Sequence, residues 1–344
     1  MKDNKAIKWW LASGCILIFL MVIIGGITRL TGSGLSITEW KVVTGTIPPL
    51  NDQQWQQEFE KYKQIPQYQQ VNSYFELADF KRIYFWEYIH RLIGRLIGMF
   101  FLIPFIYFLL KKKISKQLLP RLLGMFLLGA IQGAVGWYMV SSGLSENIRV
   151  SHLRLALHLG MAFITFGYIF YVLLLEIYPQ DNLIQNYSSK KPLFPFILLL
   201  LIFAQIIMGA FVAGTHAGYI YNTWPKMEGQ WIPDAIPFGW QKDGVSSLIN
   251  NIVTVQFLHR NLAYLIVILI VGWWYLQKRN YPAFDKRVRV SSMLLTIVML
   301  QAALGIFTLL AHVPVWMGVM HQAMAFVLFA SAIYLTFINR YKTN

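Results

Sequence analysis

Charge is what this sequence has least of. Only 13% of its 344 residues are Asp, Glu, Lys or Arg, against roughly 25% in a soluble domain. A deficit of that size excludes an ordinary water-facing surface and points to lipid as the solvent. Acid is scarcer than base, 15 residues against 30, for a formal net charge of +15. The bases fall in short runs between apolar stretches, the pattern of cytoplasmic loops, so nucleic acid is not an expected partner. Cysteine is nearly absent. Cys15 stands alone inside the first apolar stretch, which excludes an intramolecular disulfide. A cleavable leader is not expected either. The apolar run after Lys2, Lys5 and Lys8 is long enough to span, and no small-residue cleavage site closes it. No Arg- and Ser-rich transit peptide is evident, which favours a bacterial plasma (inner) membrane over an organelle.

What is present is apolar: 56% of the residues are hydrophobic, and the mean hydropathy is +0.49. A spanning helix needs about 20 mostly apolar residues. Eight stretches qualify, at 9–28, 85–110, 121–141, 150–176, 193–214, 253–277, 289–311 and 316–338. An even number puts both termini on one side. Seventeen basic residues lie in the short tails and connections of that side, among them Lys111, Lys112, Lys113, Lys190, Lys191, Arg287 and Arg289. The longer loops opposite, at 29–84 and 215–252, carry about nine that acids largely balance. Both termini are therefore expected in the cytoplasm. In the first outer loop, Trp55, Phe59 and Tyr62 recur at helical spacing within Asp52–Lys63, which reads as an amphipathic helix lying on the membrane surface.

The two halves of the chain match each other. His90-Arg91 recurs as His259-Arg260, Gln132 and Gly136 recur as Gln301 and Gly305, and His152 finds His321, all 169 residues on. The outer loops match at an offset of 184, pairing Trp40 with Trp224, Gly45 with Gly229 and Pro49 with Pro233. Four spans separate the copies, so they share one orientation. The expected fold is an all-α integral membrane protein with eight transmembrane helices arranged as two parallel-repeat four-helix bundles. The halves are 1–192 and 193–344.

Ligating groups inside a membrane are functional candidates. His90, His152, His259 and His321 come from the second, fourth, sixth and eighth spans, near their outer ends. Two imidazoles facing each other in an apolar four-helix bundle suit six-coordinate haem iron. A structural zinc ion wants four ligands, and each half offers two histidines and no cysteine between its bundle helices. Arg91 and Arg260 follow a ligand directly and are placed to reach haem propionates or to snorkel to the interface. His158 has no partner in this alignment and is assigned to packing or a water contact. His216 and His312 lie outside, near helix ends, and are assigned to the interface, with control of haem access left open.

One position breaks the repeat informatively. Glu87 precedes His90 by one helical turn, and its counterpart is Gln256. A glutamate beside a metalloporphyrin can move protons or stabilise a cation on a ring substituent. A glutamine can only hydrogen-bond. This places chemistry in the first half and a resident haem in the second. The competing reading is an interfacial acid that pairs with Arg91.

Six segments resemble the haem A synthases. They are Gly32-Ser-Gly-Leu-Ser-Ile-Thr-Glu-Trp40, Gly45-Thr-Ile-Pro-Pro49, Glu87-Tyr-Ile-His-Arg91, Gln132-Gly-Ala-Val-Gly-Trp137, Asn222-Thr-Trp-Pro-Lys-Met227 and His259-Arg260. The resemblance covers essentially the whole chain. It implies oxidation of the ring-position-8 methyl of haem O to a formyl group, giving haem A for terminal oxidases. It further implies that His259 and His321, with Arg260, hold a haem b cofactor, that His90 and His152 bind the substrate haem, and that Glu87 takes part. A haem O synthase is the partner it implies. Some members carry a cysteine pair in the first outer loop; this chain has none. Two other functions fit paired histidines: a quinol-linked two-haem electron-transfer protein of cytochrome b type, and a haem transporter or chaperone.

Overall fold

The computed structural model describes residues 5–40, 44–144, 148–178 and 193–341. Lys190 and Lys191, two of the basic residues used for orientation, lie outside them. Among the described residues there are helices and turns but no β-strand. Eight helices are long and apolar enough to cross a membrane: α1 (Lys5–Leu30), α4 (Leu77–Leu110), α5 (Leu118–Leu144), α6 (His152–Ile177), α7 (Leu193–Thr215), α10 (Ile252–Asn280), α11 (Lys286–Leu310) and α12 (Val315–Tyr341). Each covers one of the eight expected stretches. The largest difference is at α4, which starts eight residues before the apolar run does. A reciprocal capping box, Glu76 with Asp79, starts the helix in polar sequence above the span. Other starts are capped singly. Asn251 accepts from the amides of Val253 and Thr254 at the head of α10, and Asp285 accepts from that of Arg287 at the head of α11. The Arg287 guanidinium beside Asp285 also holds its carboxyl down at about 2.

The chain divides into two compact units, one containing Ser13–Thr165 and the other Lys5–Ala12 with Phe166 onward. In the second, α7, α10, α11 and α12 pack side by side in a closed ring. Leu198, Ile202, Ile270, Leu294, Ala332 and Leu335 fill it, each essentially without exposure. A buried aliphatic side chain of this kind contributes about 1.5–3 kcal/mol in water. Inside a bilayer, close packing and backbone hydrogen bonding carry more of the stability.

In the first unit, α4 and α5 come together, and the outer loop folds down over their ends. Helix α2 (Asp52–Lys63) has the bounds expected of it but not the place. Its apolar face lies on the protein rather than on the membrane. Phe59 and Tyr62 are buried against Phe80, Ile83 and Tyr84 of α4, with Leu35 and Val140 in the same cluster. The preference arises because one large apolar surface is on offer directly below the helix, and Tyr62 finds polar partners there. Its hydroxyl donates to Gln67 Oε1 at 3.1 Å and accepts from Asn72 at 2.8 Å. Burial pushes that phenol up to about 12. Gln67, on the short helix α3 (Pro66–Gln70), passes the connection on to the Gly32 carbonyl. Leu35 then seats in the notch left by Gly143, where a Cβ would come within 2.7 Å of it.

Candidate functional site

The clearest geometry is in the second unit. His259 of α10 and His321 of α12 face each other with ring centres 6.5 Å apart and planes at 78°. A metal bonded to one nitrogen of each ring at about 2 Å would set the centres about 6 Å apart. An axial imidazole is free to turn about its metal bond, so crossed planes are no obstacle. Both rings back onto glycine. A Cβ on Gly209 of α7 would stand 3.3 Å from His259 Cε1, and one on Gly305 of α11 only 2.8 Å from His321 Cε1. Each also meets a glutamine. Gln301 Nε2 lies 3.2 Å from His321 Nδ1. Gln205 Nε2 donates to the His259 carbonyl at 2.9 Å and lies 3.5 Å from ring Nε2. His259 Nδ1, Gln205 Oε1 and Gln301 Oε1 are buried with no partner. Two imidazoles at iron-bridging distance with an unspent nitrogen fit a bis-histidine haem.

The first unit builds a corresponding arrangement, in which one expected match falls on another residue. A Cβ on Gly25 of α1 would stand 3.2 Å from His90 Nε2. The histidine that meets Gln132 and Gly136, however, is His158, not His152. Gln132 Nε2 lies 3.3 Å from His158 Nδ1 and donates to its carbonyl at 3.2 Å. A Cβ on Gly136 would stand 3.0 Å from its Cε1. His158 also lies within electrostatic range of His90. His152 is the first residue of α6, whereas His321 and His158 each sit six residues into their helices. The physical reason is chain length: α5 runs three residues further past Gln132 than α11 does past Gln301, and the connection after it is three residues longer, so the offset falls from 169 to 163. The signal was in the sequence. His158-Leu-Gly-Met-Ala-Phe163 matches His321-Gln-Ala-Met-Ala-Phe326 at 163.

Above each of His90 and His259, the arginine and its neighbour hold an outer loop. Arg91 donates to the carbonyls of Ile37 and Glu39 at 2.8 and 2.9 Å. Arg260 donates to those of Tyr221 and Thr223 at 2.6 and 2.9 Å. These carbonyls correspond at an offset of 184. The guanidinium NH2 groups thus hold the outer loops, and Arg260 keeps a buried, unpartnered Nε. Glu87, 2% exposed, accepts three hydrogen bonds. They come from the Ser36 hydroxyl at 2.7 Å, the Ile37 amide at 2.9 Å and Arg91 at 2.6 Å. Gln256 does the reverse, donating to the carbonyls of Ala217 and Ile220. His216 stacks on Tyr219, and His312 is exposed just past the end of α11.

If the glycine behind His321 is there to seat the ring, Gly305→Ala should displace it. The added methyl leaves no room at 2.8 Å. The expected result is bound haem that is reduced in amount or partly high-spin, read from the reduced-minus-oxidised spectrum of the purified protein.

Fold and site define an α-helical, multi-pass membrane protein whose spans carry histidines, one pair of them face to face. The chain belongs to the COX15-CtaA family of cytochrome oxidase assembly proteins, whose family model matches residues 8–333. It is 46% identical over 342 residues to the heme A synthase of Flavobacterium psychrophilum, covering 97% of this chain and 98% of that one. To the heme A synthase of Flavobacterium johnsoniae it is 45% identical, with 97% of each chain covered. The Wolbachia pipientis wMel heme A synthase is 43% identical over 99% of this chain and 95% of its own length.

Proposed function

We propose that this chain is a heme A synthase, oxidising the methyl group at ring position 8 of haem O to a formyl group. The observation that carries the reading is the pair of facing imidazoles with ring centres 6.5 Å apart, in a chain nearly half identical to heme A synthases along its whole length. His259 and His321 would hold a haem b cofactor. Held by two imidazoles, haem b would supply electron transfer rather than oxygen binding there. Substrate haem O would enter the first half between His90 and His158, the histidine pair that shares the glycine seats. The outer loop clasped by Glu87 and Arg91 closes over that half and keeps water from the reacting methyl.

Glu87 is the acidic group nearest in sequence to either ligand. Its oxygens already accept three hydrogen bonds. Without dismantling the loop, it serves as a fixed negative charge for positive character developing on the ring substituent, rather than as a proton carrier. Arg260 is a loop clasp whose buried Nε–H is still there to offer a propionate. Delivery of haem O by a haem O synthase follows from the same reading, as does a place in the bacterial inner membrane.

The deciding experiment is haem extraction from a host that makes haem O but no haem A. Expression of this chain should bring haem A into the extract. Haem O alone, beside a normally assembled haem protein, would leave electron transfer or haem transport instead.

Orientation rests on the basic residues of the short connections. In a Cys15→Ser background, Gln56→Cys should react with a membrane-impermeant thiol reagent in intact cells and Tyr341→Cys should not. The opposite labelling would invert the topology.

A further inference from the structure

The two histidine pairs are held differently, and the difference lies on the first helix of each half. Gly25 backs the Nε2 edge of His90 and Gly209 the Cε1 edge of His259, and the two glycines stand 184 residues apart, the offset of the clasped loops. One turn earlier on the same helices, that offset pairs Met21 with Gln205. Gln205 binds the His259 carbonyl at 2.9 Å and brings its amide to 3.5 Å from the ring. Its Oε1 is buried and unpartnered. Met21 offers no hydrogen bond. Its methyl carbon lies instead 3.4 Å from where a Cβ on Gly94 would be, one turn beyond His90. The other glutamine is common to both halves, as Gln132 on His158 and Gln301 on His321. So in the second half an amide meets both histidines, at His259 through the backbone carbonyl, and in the first half an amide meets one.

We propose that Gln205 is a positioning residue that makes the second site a resident one, and that Met21 in its place makes the first site one that lets go. The chemistry demands such a difference. A cofactor haem must stay bound through every turnover, whereas a product haem must leave. Groups behind an axial imidazole fix its orientation and its strength as a ligand, and losing one typically costs about 10–100-fold in metal affinity. Gln205 would do this for His259 from the side of α7, by holding its backbone carbonyl. On the exchanging site, a thioether fills the space and leaves the His90 ring free to swing when the product departs. The inference rests on the assignment of haem b to the second half.

The test is Gln205→Met, which copies the first half, in the full-length protein. Transfer of haem to excess apomyoglobin should be at least about tenfold faster than from the wild type. The low-spin electron paramagnetic resonance signal should shift as the imidazole loses its fixed angle, with the melting temperature of the reduced, loaded protein little changed. The reciprocal Met21→Gln should slow release of haem O from the first half. Wild-type transfer rates and an unshifted signal in Gln205→Met would overturn the proposal. His259→Ala separates this from the underlying assignment. If His259→Ala leaves the haem and its spectrum untouched, the assignment of haem b itself fails; if it strips the haem while Gln205→Met changes nothing, only the role of Gln205 does.

Discussion

His158→Ala should abolish haem A formation, and His152→Ala should leave most of it. The two residues lie less than two turns apart on α6, and both are histidines near the outer end of a span. Their surroundings separate them. His158 rests on Gly136 and meets Gln132, as His321 rests on Gly305 and meets Gln301. His152 opens the helix. Removing one of two axial ligands leaves the substrate iron under-coordinated and its ring unanchored. Misplacement by about 1 Å can cost 100-fold in rate, so a loss of at least that size is expected from His158→Ala. The measurement is haem extraction and chromatography at matched protein levels, with the low-spin haem b of the second half as the internal control for folding. Equal losses from both variants would mean that His152 shares the work, and loss from His152→Ala alone would restore the pairing read from the uniform offset.

That pairing shows where sequence reasoning reached and where it stopped. The eight spans were legible because lipid demands long apolar runs and hides nothing. The repeat was legible too, since Gln132, Gly136 and His90 carry exact distances to their copies. What failed was the assumption that the offset of the second and third helices holds into the fourth. Helix ends and connections vary in length at small energetic cost, so a register found on two helices has to be re-established after each loop. A coincidental histidine at the old register concealed the change. The seat glycines were visible as letters but not as contacts. Gly25 and Gly209 lie at an offset used by the loops rather than by the helices after them, and only the fold brings each against a histidine. Helix α2 was read in the right place along the chain but against the wrong surface. An amphipathic pattern states that one face is covered and does not say by what. The loop contacts of the arginines were hidden for a similar reason. A guanidinium offers five N–H donors, and the nearest acceptors turned out to be loop carbonyls that no local motif announces.

Glu87→Gln should lower haem A formation by at least about 100-fold while sparing haem b in the second half. All three partners of the carboxylate are donors: the Ser36 hydroxyl, the Ile37 amide and the Arg91 guanidinium. A glutamine brings an NH2 group that must face one of them, and it leaves the Arg91 charge, 8% exposed, without its counter-ion. Breaking a buried pair in this way costs about 3–5 kcal/mol, enough to free residues 33–40 from the helix below. The substitution therefore removes both a fixed charge and a clasp, and Arg91→Gln tells them apart. That change frees the loop carbonyls and the ion pair but keeps the carboxylate, so it should retain about tenfold more activity than Glu87→Gln if charge contributes beyond the clasp. Equal losses in the two variants would assign the effect to loop closure alone. Gln256→Glu provides the mirror image. Its partners are the carbonyls of Ala217 and Ile220, to which a carboxylate cannot donate. It should loosen the second outer loop and reduce retained haem b, and it should confer no haem-oxidising activity there. Loop release is read by trypsin cleavage of the outer loops in right-side-out vesicles, and product by haem chromatography. Normal haem A from Glu87→Gln would reduce Glu87 to an interfacial acid and remove the main support for placing the chemistry in the first half.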